Sequence, residues 1–228
     1  MVKRARLRLW WLSAYAGSNP VPRIFLFIIL NLFIIVKFAK FMKDLVVLVD
    51  QDEVLADLLE GWIRKVGETF PELPIIPREK VTDYYMETLY PAEYKTEIED
   101  MLAQQYFFLN LKPVPGSIEA IKEMDKLADV FICTTPYGKN KYCAQEKFDW
   151  VDKHLGRDKN GNTWTKKLIL TGDKTLVRGD YLIDDKPIIT GSMTPTWEQI
   201  VFDMPYNRHI TDKKRIIEWT NWKEVLGL

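Results

Sequence analysis

Apolar residues recur along this chain in two rhythms, and the points where the rhythm changes outline its architecture. Residues 45–49 (LVVLV) form an unbroken apolar run that stops abruptly at Asp50-Gln51-Asp52-Glu53. A continuous run of leucine and β-branched residues, rather than an alternation, is the pattern of a strand buried on both faces of a parallel sheet. Behind it Val54, Leu55, Leu58, Leu59, Trp62, Ile63 and Val66 recur at helical spacing, which predicts an amphipathic helix. Pro71, Pro74, Pro77 and Pro91 then break up residues 68–112, where Phe70, Tyr84, Tyr85, Tyr90, Tyr94, Tyr106, Phe107 and Phe108 gather. This segment reads as a small helical insertion, a cap with an aromatic inner face. Most of its rings are expected to form its own core, with only a few turned toward a ligand.

The alternation of strand and helix then resumes. Pro115-Gly116-Ser117 predicts a turn with Ser117 as helix N-cap, followed by Ile118, Ile121, Met124 and Leu127 on one face. Residues 129–133 predict a second strand, 167–170 a third, 181–183 a fourth and 199–202 a fifth. Helices are expected over residues 144–155 and after Thr211, with a loop tip at Asn160-Gly161. Strands separated by helices imply right-handed crossovers around a parallel sheet, an α/β fold.

In such a sheet every strand's carboxyl end lies on one edge, and ligands bind there. Three of the strands stop at polar residues: Asp50 and Asp52, Thr134 and Thr135, Asp184 and Asp185. Lys174 follows the remaining one in a loop. Carboxylates from separate segments make a hard oxygen site suited to Mg²⁺. A threonine hydroxyl and an ammonium supply donors for phosphoryl oxygens, leaving one acid free to attack and another to move a proton.

Composition narrows the partners. Of 228 residues, the first 43 carry eight basic side chains and no acid, leaving 32 acidic and 24 basic side chains, a formal charge of −8, on the rest. An acidic body argues against nucleic acid polymers, though not against a small phosphate ester held by a few placed cations. Cys133 and Cys143 have no metal-binding spacing and no disulfide is expected, so a reducing compartment is the natural setting. His154 and His209 carry no signature around them and are expected at the surface or a helix end.

Residues 24–36 are a basic-flanked apolar run, short of the ~20 residues that span a bilayer. Residues 1–43 are therefore open to three readings: a secretory signal or membrane anchor, an organelle (mitochondrial) presequence, or an upstream stretch with translation starting near Met42 and a cytoplasmic product.

The order of an aspartate motif DxDxV, a strand-ending threonine, a lysine and paired acids resembles the haloacid dehalogenase (HAD) superfamily. The stretches VLVDQDEVLAD, LKPVPGSIEAIKEM, DVFICTTP, KYCAQEKFDWV, LTGDKT and LIDDKP are similar to the 5′(3′)-deoxyribonucleotidases, in the same order across residues 45–190. The resemblance implies a HAD-like Rossmannoid core over 44–67 and 113–228 with the cap at 68–112. It implies Asp50 as nucleophile and Asp52 as acid and base. Mg²⁺ would be held by Asp50, the Asp52 main-chain carbonyl and Asp185, with Asp184 positioning Asp185 or a metal-bound water. Thr134, Thr135 and Lys174 would lie against the phosphate, and Phe108, Tyr84, Tyr85, Met86 and Lys147 against the substrate. The implied substrate is a (deoxy)nucleoside monophosphate, and such relatives are commonly homodimers. The chain departs from the animal enzymes at Glu53, where they have a small glycine, at Gly172, where they have arginine, and at Leu58, an aromatic position in the pocket wall. A phosphatase for another small ester, such as a sugar phosphate, and a non-catalytic binding protein are the competing readings.

Overall fold

In the computed structural model, which describes residues 45–228, all six strands run parallel. They are β1 (Val46–Val49), β2 (Asp129–Thr134), β3 (Leu168–Leu170), β4 (Tyr181–Asp184), β5 (Glu198–Phe202) and β6 (Arg215–Ile216), in the order β3-β2-β1-β4-β5-β6. The first strand is thus central. Val49 pairs with Ile132 on one side and Ile183 on the other, which places Asp50 beside the ends of both neighbours. The expectations for residues 1–43 lie outside the described residues. No helix among the described residues is long and apolar enough to cross a membrane.

The helices are α1 (Leu58–Thr69), α2 (Lys95–Leu102), α3 (Ser117–Leu127), α4 (Cys143–Leu155) and α5 (Trp222–Leu226). Side chains alternate across a strand, so β1 sends Val47 and Val49 to one face and Leu48 to the other. The first pair joins Ile121 and Met124 of α3, Trp150 and Val151 of α4 and Trp222 of α5 in the main core. Leu48 joins Cys133, Leu182 and Trp197 in a smaller cluster on the opposite face. A third cluster is built on α1: Leu59, Trp62 and Val66 pack against Val81, Met86, Tyr90, Ile98 and Met101 of the insertion, and against Met204 and Tyr206. The aromatic-rich segment carries α2 and three short 3₁₀ turns, and its core is continuous with α1.

Four local readings need correction. Val54, Leu55 and Ala56 do not begin α1: Leu55 and Ala56 both donate their N–H groups to the Gln51 carbonyl in a tight turn, and Asp57 caps the helix by accepting from Glu60 N. Ser117 is not a side-chain cap, because its hydroxyl is buried and donates to the Leu55 carbonyl, leaving Gly116 at φ 78° to make the turn. The helix expected after Thr211 begins only at Trp222, because residues 215–216 continue the sheet as β6. Finally α1 runs to Thr69, three residues past Val66, the last apolar position of the predicted helix.

Candidate active site

The turn after β1 fixes the first two acids. Asp50 is buried and accepts from Gln51 N (2.8 Å). Its other oxygen receives the Lys174 ammonium at 2.9 Å, and the same ammonium reaches Asp184 at 2.6 Å. Burial alone would lower the Lys174 pKa, but Asp184 and Asp50 outweigh it, so the ammonium is held well above its ordinary value. Lys174 sits in a short 3₁₀ turn whose N-cap, Asp173, accepts from Thr175 N. Asp173 also accepts from the Ser192 N–H and hydroxyl, each at 2.7 Å, which stitches the loop after β3 to the loop after β4.

Asp52 faces the other way. Its carboxylate pairs with Lys147 at 2.8 Å, and Lys147, from α4, has no exposed side-chain surface. The Lys147 ammonium also donates to the Thr134 hydroxyl at 3.0 Å, which leaves that hydroxyl's own proton free for another acceptor. Burial raises the Asp52 carboxyl, with Lys147 pulling against it and Asp50 adding to it. Lys147 lies 5.4 Å from the ring centroid of Phe108, whose N–H is held by Glu146.

Asp50, Asp184 and Asp185 are all buried, and each offers an oxygen within 4.8 Å of the others. Burial, then the neighbouring Asp184 and Asp50, pushes Asp185 well above the ordinary carboxylate range. Three hard oxygen donors crowded into one buried volume could hold a small divalent cation, and a dication among them would reverse that upward shift.

The structure therefore brings together Asp50, Asp52, Thr134, Lys147, Lys174, Asp184 and Asp185. Thr135, one residue on, is exposed. The cap residues divide. Tyr85 is exposed, while Tyr84 is exposed only in part, and its phenol is pushed far up by burial and by Asp185 and Asp50 nearby. Met86 packs inside the cap cluster, and Phe108 is buried at the edge of the main core with its ring beside the Lys147 ammonium. His154 lies on the Trp150 ring at the end of α4, and His209 is exposed.

Several residues here were not legible in sequence. Tyr206 donates to Asp185 at 2.5 Å, and Asn207 donates to the Asp185 carbonyl at 2.7 Å. Glu53 caps α1 by accepting from Leu59 N, at a positive φ of 59°, and pairs with Arg78 of the insertion at 3.5 Å. Neither arrangement leaves a periodic signal. A groove of about 810 Å³ beside Trp219, Trp222, Arg208 and Lys223 has Arg78 in its wall but none of the strand-end acids.

Comparison with known proteins places this geometry. A family model described as "5′ nucleotidase, deoxy (Pyrimidine), cytosolic type C protein" matches residues 44–228. The human cytosolic 5′(3′)-deoxyribonucleotidase is 41% identical over 191 residues, covering 79% of this chain and 92% of that protein. The human mitochondrial 5′(3′)-deoxyribonucleotidase is 40% identical over 195 residues, covering 81% and 83%. Among solved structures, YfnB from Bacillus subtilis, described as a HAD-hydrolase bound to magnesium, superposes with a TM-score of 0.50 at 11% identity, covering 82% of this chain and all of that one; that likeness concerns the fold. The chain belongs to the 5′(3′)-deoxyribonucleotidase family, phosphoric monoester hydrolases built on the HAD fold.

Proposed function

We propose that this enzyme hydrolyses deoxynucleoside monophosphates, pyrimidine ones foremost, to nucleoside and phosphate by way of an aspartyl-phosphate on Asp50. The observation that carries the reading is the Lys174 ammonium bridging Asp50 and Asp184, with Asp185 alongside, at the carboxyl edge of the sheet. An Asp50 oxygen attacks phosphorus as the ester P–O bond breaks, and Asp52 gives its proton to the departing nucleoside oxygen. Burial shifts the Asp52 carboxyl upward, the direction that favours a general acid, while Lys147 opposes it. Water then attacks the acyl phosphate, Asp52 takes the proton back, and phosphate leaves with Asp50 restored. Thr134 donates its free proton, and Lys174 its ammonium, to phosphoryl oxygens where charge spreads in the transition state.

Asp50, Asp185 and the Asp52 carbonyl are the groups that would hold Mg²⁺, with Asp184 keeping Lys174 in place. When bound, the ion supplies positive charge that offsets repulsion between an anionic nucleophile and an anionic ester. The insertion of residues 68–112 serves as the cap. Its exposed rings, Tyr84 and Tyr85, are the surface on which a base would stack, a contact that tolerates several bases. Phosphate release from dUMP and dTMP by the full chain with Mg²⁺ tests the reading. Silence across all nucleoside monophosphates would sink it, and normal turnover by Asp50→Asn would rule out the covalent route.

A further inference from the structure

Asp185 differs from the other acids at the strand ends. Asp50 and Asp184 share Lys174, and Asp52 has Lys147, but Asp185 makes no ion pair among the described residues. Its side-chain partner is a phenol: Tyr206 donates to Oδ2 at 2.5 Å. The turn that carries this tyrosine, Pro205–Asn207, is fixed with unusual completeness. Asn207 is fully buried and uses its whole amide: Nδ2 donates to the Asp185 and Phe202 carbonyls, both at 2.7 Å, while Oδ1 accepts from Met204 N at 3.1 Å and Arg215 Nη1 at 2.6 Å. Arg215, from β6, also donates to the Asn207 carbonyl at 3.0 Å, the Ile210 carbonyl at 2.7 Å and Asp203 at 2.7 Å. One residue of the turn thus holds the Asp185 main chain and the next holds its carboxylate.

The Tyr206 ring has a second set of neighbours. It is buried in the cluster that α1 shares with the cap, and it meets Tyr84 edge-on, 5.6 Å between centroids at 85°. Phenylalanine would fill that volume as well. Packing accounts for the ring but not for the hydroxyl, whose bond is to Asp185.

We propose that Tyr206 is the positioning residue for Asp185, its hydroxyl setting the rotation of the carboxylate so that one oxygen is presented to the divalent cation while its ring carries the cap through Tyr84. The terminal torsion of an aspartate is broad and roughly two-fold, so a carboxylate with no fixed partner samples orientations that misdirect its lone pairs. Partners of this outer kind commonly change metal affinity by about 10- to 100-fold when removed. The proposal rests on the Mg²⁺ reading above and concerns a residue that does not itself touch the ion.

Direct titration of the full chain with Mn²⁺, followed by electron paramagnetic resonance of the free ion, tests it without relying on turnover. Tyr206→Phe is expected to bind Mn²⁺ about tenfold more weakly than the unaltered chain, or worse, with an unchanged far-ultraviolet dichroism spectrum. In activity assays the same variant is expected to need about tenfold more Mg²⁺ for half-maximal rate, while the nucleotide KM at saturating Mg²⁺ stays put. Tyr84→Phe, which keeps the ring edge and leaves Tyr206 in place, is expected to bind Mn²⁺ normally. Equal Mn²⁺ affinity in Tyr206→Phe and the unaltered chain would overturn the inference while leaving the metal site standing. An unaltered chain that takes up no Mn²⁺ would instead overturn the metal reading on which it rests.

Discussion

Lys147→Met isolates the buried pair that governs Asp52. The ammonium is wholly buried and lies 2.8 Å from a carboxylate whose side chain is 22% exposed. At an effective dielectric of about 20, unit charges at that distance attract by about 6 kcal/mol, much of it offset by the cost of desolvating the ammonium. Removing one partner strands the other, a loss of about 3–5 kcal/mol for buried pairs. Residual exposure of Asp52 places this case at the lower end, about 3 kcal/mol near neutral pH. Methionine keeps the unbranched stem in place over Phe108, so packing contributes little to the change. For a domain of this size that is a drop in Tm of about 6–12 °C. The loss must also depend on pH. Without Lys147 the folded-state pKa of Asp52, already raised by burial, rises further above its unfolded value of 3.8. Protonation below that raised pKa removes the stranded charge, so the loss should shrink to about 1 kcal/mol near pH 5. Urea unfolding of the metal-free protein at the two pH values measures both. Equal losses at both, or a loss under about 1 kcal/mol near neutrality, would refute the reasoning. Adding Asp52→Asn should restore most of the stability, because the charge that needed a partner is gone.

The remaining expectations concern pH, backbone and room. In chelated protein Asp185 and Glu53 are both pushed well above the ordinary range by burial, so the folded chain binds protons there more tightly than the unfolded chain does. Stability should therefore fall as pH rises above about 5, the upper edge of the unfolded carboxylate range, and saturating Mg²⁺ should flatten the Asp185 share of that slope. Below that window Asp173, held low by Ser192 and Thr175, reverses the sign, and a chelated protein whose midpoint climbs between pH 5 and 8 would contradict the assignment. Glu53 adopts φ 59°, so Glu53→Gly should be about 1 kcal/mol more stable than Glu53→Ala in chemical unfolding, both having lost the cap on Leu59. Gly191 is required for space: a Cβ there would lie 1.9 Å from Asp173 Oδ1 and 2.4 Å from Thr175 Oγ1. Gly191→Ala should cost about 1–3 kcal/mol and depress kcat more than KM, since the turn it displaces carries Lys174.

What could be read in the sequence was whatever burial writes as a run. Parallel strands are apolar without interruption, so β1, β2 and β4 are visible together with the acids and threonine that end them, and the convergence of Asp50, Thr134, Lys174 and Asp185 follows from topology alone. What escaped were groups whose partners lie far along the chain. Glu146 looks like an ordinary helix-face acid, yet it accepts from Tyr106 N and Phe108 N at 2.5 and 3.0 Å. Tyr206 and Asn207 sit in an unpatterned stretch, and a two-residue strand at Arg215–Ile216 is too short to show a period. The start of α1 was recoverable. Asp57-Leu58-Leu59-Glu60 is a capping pattern, and Val54, Leu55 and Ala56, all wholly buried, are too many adjacent apolar positions for one helix face.

The central place of β1 also bears on how the enzyme is made. Of the described strands the ribosome delivers this one first, but its two partners begin at Asp129 and Tyr181. At synthesis rates of about 5–20 residues per second, β1 waits roughly 4–16 s for its first neighbour and longer for its second. During that interval both of its edges and two apolar faces are open to other nascent chains. The strand that leads to Asp50, the proposed nucleophile, is therefore the described strand left longest without partners. For variants near Asp50, yield and turnover are therefore separated by measuring rate per folded molecule.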